Sequence, residues 1–173
     1  MPPITQRRIT LLRHAKAVAE SEAMDDHARP LAPRGRDDAM ALGAWMQENH
    51  TLPELVICST ATRTRETLAA LGVTIPTILA PRVYLASAGE LFSLLQDTDD
   101  AIQHVMLIGH NPGMHGLASS LASSFVREAD EEQMVAKFPT CGFVSMGVAL
   151  AHWKKLAPQS TVLDVLRYPG SND

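Results

Sequence analysis

The chain is short of cysteine, of positive charge and of long apolar runs, and each shortage narrows its function. Its two cysteines, Cys58 and Cys141, form no Cys-x-x-Cys pair. Each adjoins an apolar run, which fits a buried free thiol in a reducing compartment; nothing in their placement supports a disulfide or a metal site. The net charge is −4 with histidine neutral, and the pI is about 5.9. That balance lacks the clustered basic excess of a nucleic-acid surface. No apolar stretch approaches membrane-spanning length. Arg7 and Arg8 precede only the short run Ile9 to Leu12, so no secretory leader is expected and the cytoplasm is the expected compartment. Gly109, Gly113 and Gly116 do not make Gly-x-Gly-x-x-Gly, and there is no Walker lysine, so nucleotide binding is disfavoured. Repeats, low-complexity segments and interdomain linkers are absent, and 173 residues suit one domain, 1–173.

What is present is a set of apolar runs with unusual endings. Ile9 to Leu12 stops at Arg13-His14-Ala15-Lys16. Leu55 to Cys58 stops at Ser59, followed by Arg63, Arg65 and Thr67, and Val105 to Ile108 stops at Gly109-His110-Asn111. Buried strands that end this way deliver their polar residues to the carboxyl edge of a sheet, where open α/β sheets bind ligands. Arg13 suits bidentate contact with phosphate oxygens, and a neutral His14 suits attack on phosphorus.

Periodicity predicts strands over about 8–13, 55–59, 77–79, 104–109, 142–150 and 161–167. Helices are predicted over about 34–49, 61–71, 88–96 and 112–123, with a long loop from Lys16 to Pro33. The acidic runs Asp97 to Asp100 and Glu128 to Glu132 read as solvated loops or helix faces. Alternating strands and helices with a β tail predict a three-layer α/β/α fold with a mostly parallel central sheet, the tail supplying an antiparallel edge strand.

Taken together, Arg13-His14-Ala15, the Ser59-x-x-x-Arg63-x-x-x-Thr67 spacing and Gly109-His110-Asn111 resemble the signatures of the histidine phosphatase superfamily, whose fold is phosphoglycerate mutase-like. Arg13-His14-Ala15-Lys16, and Asp26-His27-Ala28-Arg29-Pro30-Leu31 ahead of Arg34-Gly35, are similar to its SixA-type branch of small phosphohistidine phosphatases. The resemblance spans about Ile9 to Leu121 and implies four catalytic residues. His14 would be the nucleophile, Arg13 and Arg63 the phosphate clamp, and His110 a donor across the phosphate. Arg65 competes with Arg63, but the two lie about 200° apart on a helix, and the family spacing selects Arg63. Lys16, Asn111 and Ser59 are candidate substrate-binding residues. Ser59 reads better as the N-cap of the second helix, and Asn111 equally as the cap of the fourth. His115 lies about 140° from His110 on a helix, poor for shared metal ligation. His27, His50, His104 and His152 read as structural or surface residues.

The sequence departs from the superfamily pattern at Ala15, where glycine is usual, and in lacking an anchored acid to protonate an alkoxide leaving group. Glu90 looks like a first-turn helix carboxylate, while Glu20, Asp25 and Asp26 lie unanchored in the long loop. A missing acid suits phosphohistidine, whose P–N bond breaks readily. The expectation is a metal-independent phosphatase without cofactor that acts on a phosphohistidine-containing protein, such as a phosphotransfer domain. The alternatives are a phosphatase for a small phosphorylated metabolite and a non-catalytic phosphoprotein-binding module. Neither nucleic acid nor a membrane is an expected partner.

Overall fold

The structure is a computed structural model and describes residues 5–170. In chain order it contains β1 (Thr5–Arg13), α1 (Pro33–Glu48), β2 (Leu55–Cys58), α2 (Thr62–Ala70), β3 (Thr77–Leu79), α3 (Ala88–Gln96) and β4 (His104–Gly109). There follow α4 (Gly113–Leu121), β5 (Ala122–Phe125), α5 (Glu128–Ala136), β6 (Phe143–Leu150) and β7 (Thr161–Arg167). The seven strands form one sheet in the order β3-β2-β4-β1-β6-β7-β5. Only β6 runs against its neighbours, β1 and β7. All other pairings are parallel.

Alternation along the strands explains the three layers, because successive side chains leave opposite faces of the sheet. Ile9, Leu11, Ile57, Val105 and Leu107 pack with residues of α3, α4 and α5. Leu12, Val56, Cys58, Met106 and Ile108 pack on the other face with residues of α1 and α2. The central strands, covered on both faces, accordingly read as near-continuous apolar runs. Among the described residues, no helix is long and apolar enough to cross a membrane.

Two features of the tail differ from expectation. The antiparallel strand β6 lies inside the sheet, and β5 takes the edge in its place. α4 therefore stops at Leu121 instead of continuing to Ser123. Ala122 turns extended, Ser123 donates a hydrogen bond to the Thr161 carbonyl, and Phe125 packs on the core. Sheet pairing across a distant strand thus overrides weak local helix propensity. The acidic run after β5 forms α5, with Glu128, Asp130 and Glu131 in its first turn, where the helix dipole favours negative charge. Asp130 is not solvated: it is buried and pairs with Arg127 at 2.9 Å.

Strand register sets the site. β1 and β4 run in parallel with Arg13 opposite Gly109, and β2 lies beside β4 with Cys58 opposite Ile108. The residues that follow, His14, Ser59 and His110, therefore emerge together at one sheet edge. Over them folds the Lys16–Pro33 loop, drawn together by an isolated bridge between Ala17 and Leu31. Its return into α1 needs Gly35, where a Cβ would sit 2.1 Å from the Lys16 carbonyl oxygen. Gly113 has a similar reason, since a Cβ there would meet the Ala86 carbonyl oxygen at 1.9 Å.

Candidate active site

A pocket of about 310 Å³ opens at this edge, lined by Arg13, His14, Arg63, His110 and Asn111 from the strand ends and helices, and by Glu20, Asp26 and Arg29 from the loop. His14 is 7% exposed, and its Nδ1 lies 2.8 Å from the Ala15 carbonyl oxygen. A carbonyl only accepts, so Nδ1 carries the proton of the neutral ring and Nε2 carries the lone pair. Burial, helped by the charges of Arg63, Arg13 and Arg29, pushes the His14 pKa down to about 4. The ring is thus neutral at pH 7 and has a nucleophilic nitrogen. The nearest donor to Nε2 is Arg63 Nε, at a long 3.4 Å.

His110 faces His14 with ring centroids 5.3 Å apart. Its Nε2 lies 2.8 Å from Ser59 Oγ. Ser59 is fully buried and its hydroxyl has no other acceptor among the described residues, so its proton goes to His110 Nε2. That bond leaves the His110 proton on Nδ1. Nδ1 is buried and has no partner among the described residues, and the same is true of Arg13 Nε. Buried donors without partners are rare, and here both belong to residues lining the pocket. Burial and the neighbouring His14 push the His110 pKa down to about 3, so it donates as a neutral ring. The pocket therefore sets a nucleophilic nitrogen beside two idle N–H donors and the Arg63 guanidinium. That combination suits a tetrahedral phosphorus centre with oxygens to be held.

A profile of the histidine phosphatase superfamily (branch 1) matches residues 9–90. An uncharacterized protein of Mycobacterium tuberculosis is 39% identical over 153 residues, which are 88% of this chain and 96% of that protein. The chain belongs to the histidine phosphatase superfamily. Among solved structures, a candidate phosphohistidine phosphatase SixA from Nakamurella multipartitia matches with a TM-score of 0.82 at 26% identity, over 98% of this chain and 99% of that one. A second candidate SixA, from Agrobacterium tumefaciens, matches with a TM-score of 0.70 at 29% identity, over 82% and 92% of the two chains. The chain is of the superfamily's SixA type, and its fold is phosphoglycerate mutase-like.

Four of the residues singled out by the histidine phosphatase motifs, Arg13, His14, Arg63 and His110, meet in the pocket. Arg63 is 2% exposed beside His14, whereas Arg65 points into a separate groove between α2 and β3. Lys16 and Ser59 lie elsewhere than expected, and Asn111 follows its capping alternative. Lys16 is exposed and lines a neighbouring hollow, because the backbone turns outward after Ala15 to pair with Ala32. Ser59 is not the N-cap of α2; Ala61 is, and Ser59, fully buried, holds His110. Asn111 lines the pocket, and its side chain caps the first turn of α4, accepting from the His115 amide and donating to the Phe138 carbonyl.

Sequence reasoning missed the shell that holds Arg63. Arg63 Nη1 donates to the Asp26 carbonyl at 2.7 Å, and Nη2 meets Asp26 Oδ2 at 3.1 Å. Tyr84 donates its hydroxyl to the same Oδ2 at 2.6 Å, and Arg29 grips Oδ1. The Tyr84 ring stands edge-on to both His27 and His110, and His27 bonds Thr60. Thr67, the last residue of the spaced motif, accepts from the Ala15 amide and donates to the Arg63 carbonyl. It ties the loop that bears His14 to α2, which bears Arg63. The polar cluster Asp26-His27-Ala28-Arg29 was the signal available; its partner Tyr84, 58 residues on, carried none.

Ser59→Ala should loosen His110 without emptying the pocket. Losing one buried hydrogen bond corresponds to a drop in kcat of roughly five- to twentyfold. Steady-state kinetics would measure the drop, and nitrogen-15 NMR of the His110 ring would show a mixture of tautomers in place of one. An unchanged tautomer would contradict the role given to Ser59.

Proposed function

We propose that this chain removes phosphate from phosphohistidine on a protein, acting as a single cytoplasmic domain, 1–173, with no metal or cofactor. His14 Nε2 attacks phosphorus; the N–P bond to His14 forms as the substrate's P–N bond breaks. The departing imidazole keeps the electron pair and takes a proton from solvent. Water then attacks the phosphorus of phospho-His14, inorganic phosphate leaves, and the His14 lone pair is restored. Arg13, Arg63 and His110 Nδ1 hold the equatorial oxygens throughout. The carrying observation is the pair of buried, unpartnered donors beside a neutral His14.

The choice of phosphohistidine over an alkyl ester rests on the carboxylates. Tyr84, Arg63 and Arg29 hold the Asp26 pKa down at about 2, so Asp26 enters the reaction without a proton to give. Glu90 is spent in a capping box with Ser87, and Glu20 is 82% exposed beside Arg29. A leaving group that departs without an enzyme acid fits this set. Phosphate release from a histidine-phosphorylated carrier protein, with a chelator present, is the test. Rapid release with slow turnover of alkyl phosphates is expected; the reverse order would favour the small-metabolite reading.

The acid limb of kcat/KM follows from His14. Below its pKa the lone pair is protonated, so activity should persist from neutral pH to about 5 and fall through a limb near 4. A pH–rate profile with its limb at the ordinary imidazole value would contradict these electrostatics.

A further inference from the structure

The motif residue Lys16, turned away from the pocket, lines a hollow of about 280 Å³ with Arg34 and Lys137, and Asp38 is the only acid among the described residues of that lining. A second hollow of about 80 Å³ continues it past Asp38, Tyr168 and Pro169 to Arg167. The two make one groove between α1 and the end of β7. Asp38 is 3.9 Å from Arg34, which offsets its charge. Lys16 and Lys137 are exposed and have no carboxylate at ion-pair distance among the described residues. In a chain of net charge −4 the groove thus gathers Lys16, Arg34, Lys137 and Arg167 around a single carboxylate of the described lining, Asp38.

The groove shares its wall with the catalytic pocket. Lys137 precedes Phe138, whose carbonyl accepts from Arg13 at 3.0 Å and from Asn111 at 2.8 Å. Cys141, at the other end of that segment, donates its amide to the His14 carbonyl at 3.0 Å. A molecule lying in the groove therefore sits beside the phosphorus site without entering it. The lining also fits its occupant. Exposed lysines on flexible stems attract solvated negative charge but do not cage a single ion. Two hollows end to end suit an extended chain.

Building on the phosphohistidine-protein reading, we propose that this groove docks an extended acidic segment of the phosphorylated partner protein beside its phosphohistidine. The groove would supply recognition that the small pocket cannot, by steering the partner onto the site electrostatically. Nucleic acid suits the groove less well, since tight binding there rests on many phosphate contacts and this lining offers few cations.

The test is direct binding of a fluorescein-labelled decapeptide of alternating aspartate and glutamate, followed by anisotropy. Wild type and His14→Ala should bind it equally, and added salt should weaken both. The double variant Arg34→Glu/Lys137→Glu should bind about tenfold or more weakly, with an unchanged circular dichroism spectrum. With a phosphohistidine carrier protein that has an acidic flank, this variant should raise KM by a similar factor and leave kcat alone. Failure of wild type to bind the peptide overturns the proposal, as does equal displacement by a deoxythymidine oligomer of matched charge. Peptide binding without turnover of any phosphohistidine protein would instead overturn the functional reading and leave the groove an acidic-peptide site.

Discussion

Replacing His14 by alanine should abolish turnover, lowering kcat by roughly 10³-fold or more, as expected when a covalent nucleophile is lost. Among the described residues that line the pocket, no other side chain is placed to substitute. His110 is turned the wrong way, its Nε2 lone pair committed to Ser59 and its Nδ1 bearing the proton. Both cysteines are buried and pushed up to about 12 by desolvation, far from thiolate. Wild type quenched during turnover of phosphorus-32-labelled substrate should carry acid-labile, base-stable label, and His14→Ala should carry none. The variant removes a polar ring that hydrogen-bonds only its neighbour's carbonyl and the Arg63 guanidinium, so its melting temperature should stay near that of wild type. Label on another histidine would move the nucleophile. Undiminished activity without label would replace the covalent route with direct attack by water.

The meeting of Arg13, His14, Arg63 and His110 in one pocket is legible because it lies where local sequence and sheet geometry coincide. Each of β1, β2 and β4 announces itself as an apolar run, and parallel pairing then carries their polar endings to one edge. Helix geometry lets only one of Arg63 and Arg65 reach the pocket, since residues two apart face about 200° from each other, and the family spacing selects Arg63. The rest depends on contacts between distant segments. Asp26 looked unanchored because its anchors, Arg63 and Tyr84, are 37 and 58 residues away. Lys16 reads as a candidate substrate-binding residue because sequence distance from His14 says nothing of the turn at Ala15. Ser59 had the residue type of a cap, but the burial that makes it a support for His110 is a tertiary property. β5 was hidden for the same reason: four residues become a strand only because β7 lies alongside.

Arg63→Met should lower kcat by roughly 10²- to 10³-fold, the usual scale for losing a preorganised charge at a developing oxyanion. The substitution keeps most of the side chain's volume at a site only 2% exposed, so the loss reflects charge and hydrogen bonding more than a cavity. A second effect separates this from simple damage. Arg63 is one of the cations that hold the His14 pKa down, behind burial as the largest cause. Without it the folded-state pKa rises from about 4 towards the ordinary value, and the acid limb of kcat/KM moves up in pH. It should stop short of 6.5, because burial remains. Arg63→Lys divides the two roles. A lysine restores the positive charge but not the fork that reaches Asp26 and the phosphate together. The lysine variant should therefore return the limb towards its wild-type position while kcat stays depressed. If both variants shifted the limb equally, charge would not be the cause. If neither lowered kcat, Arg63 would serve only to hold the loop through Asp26.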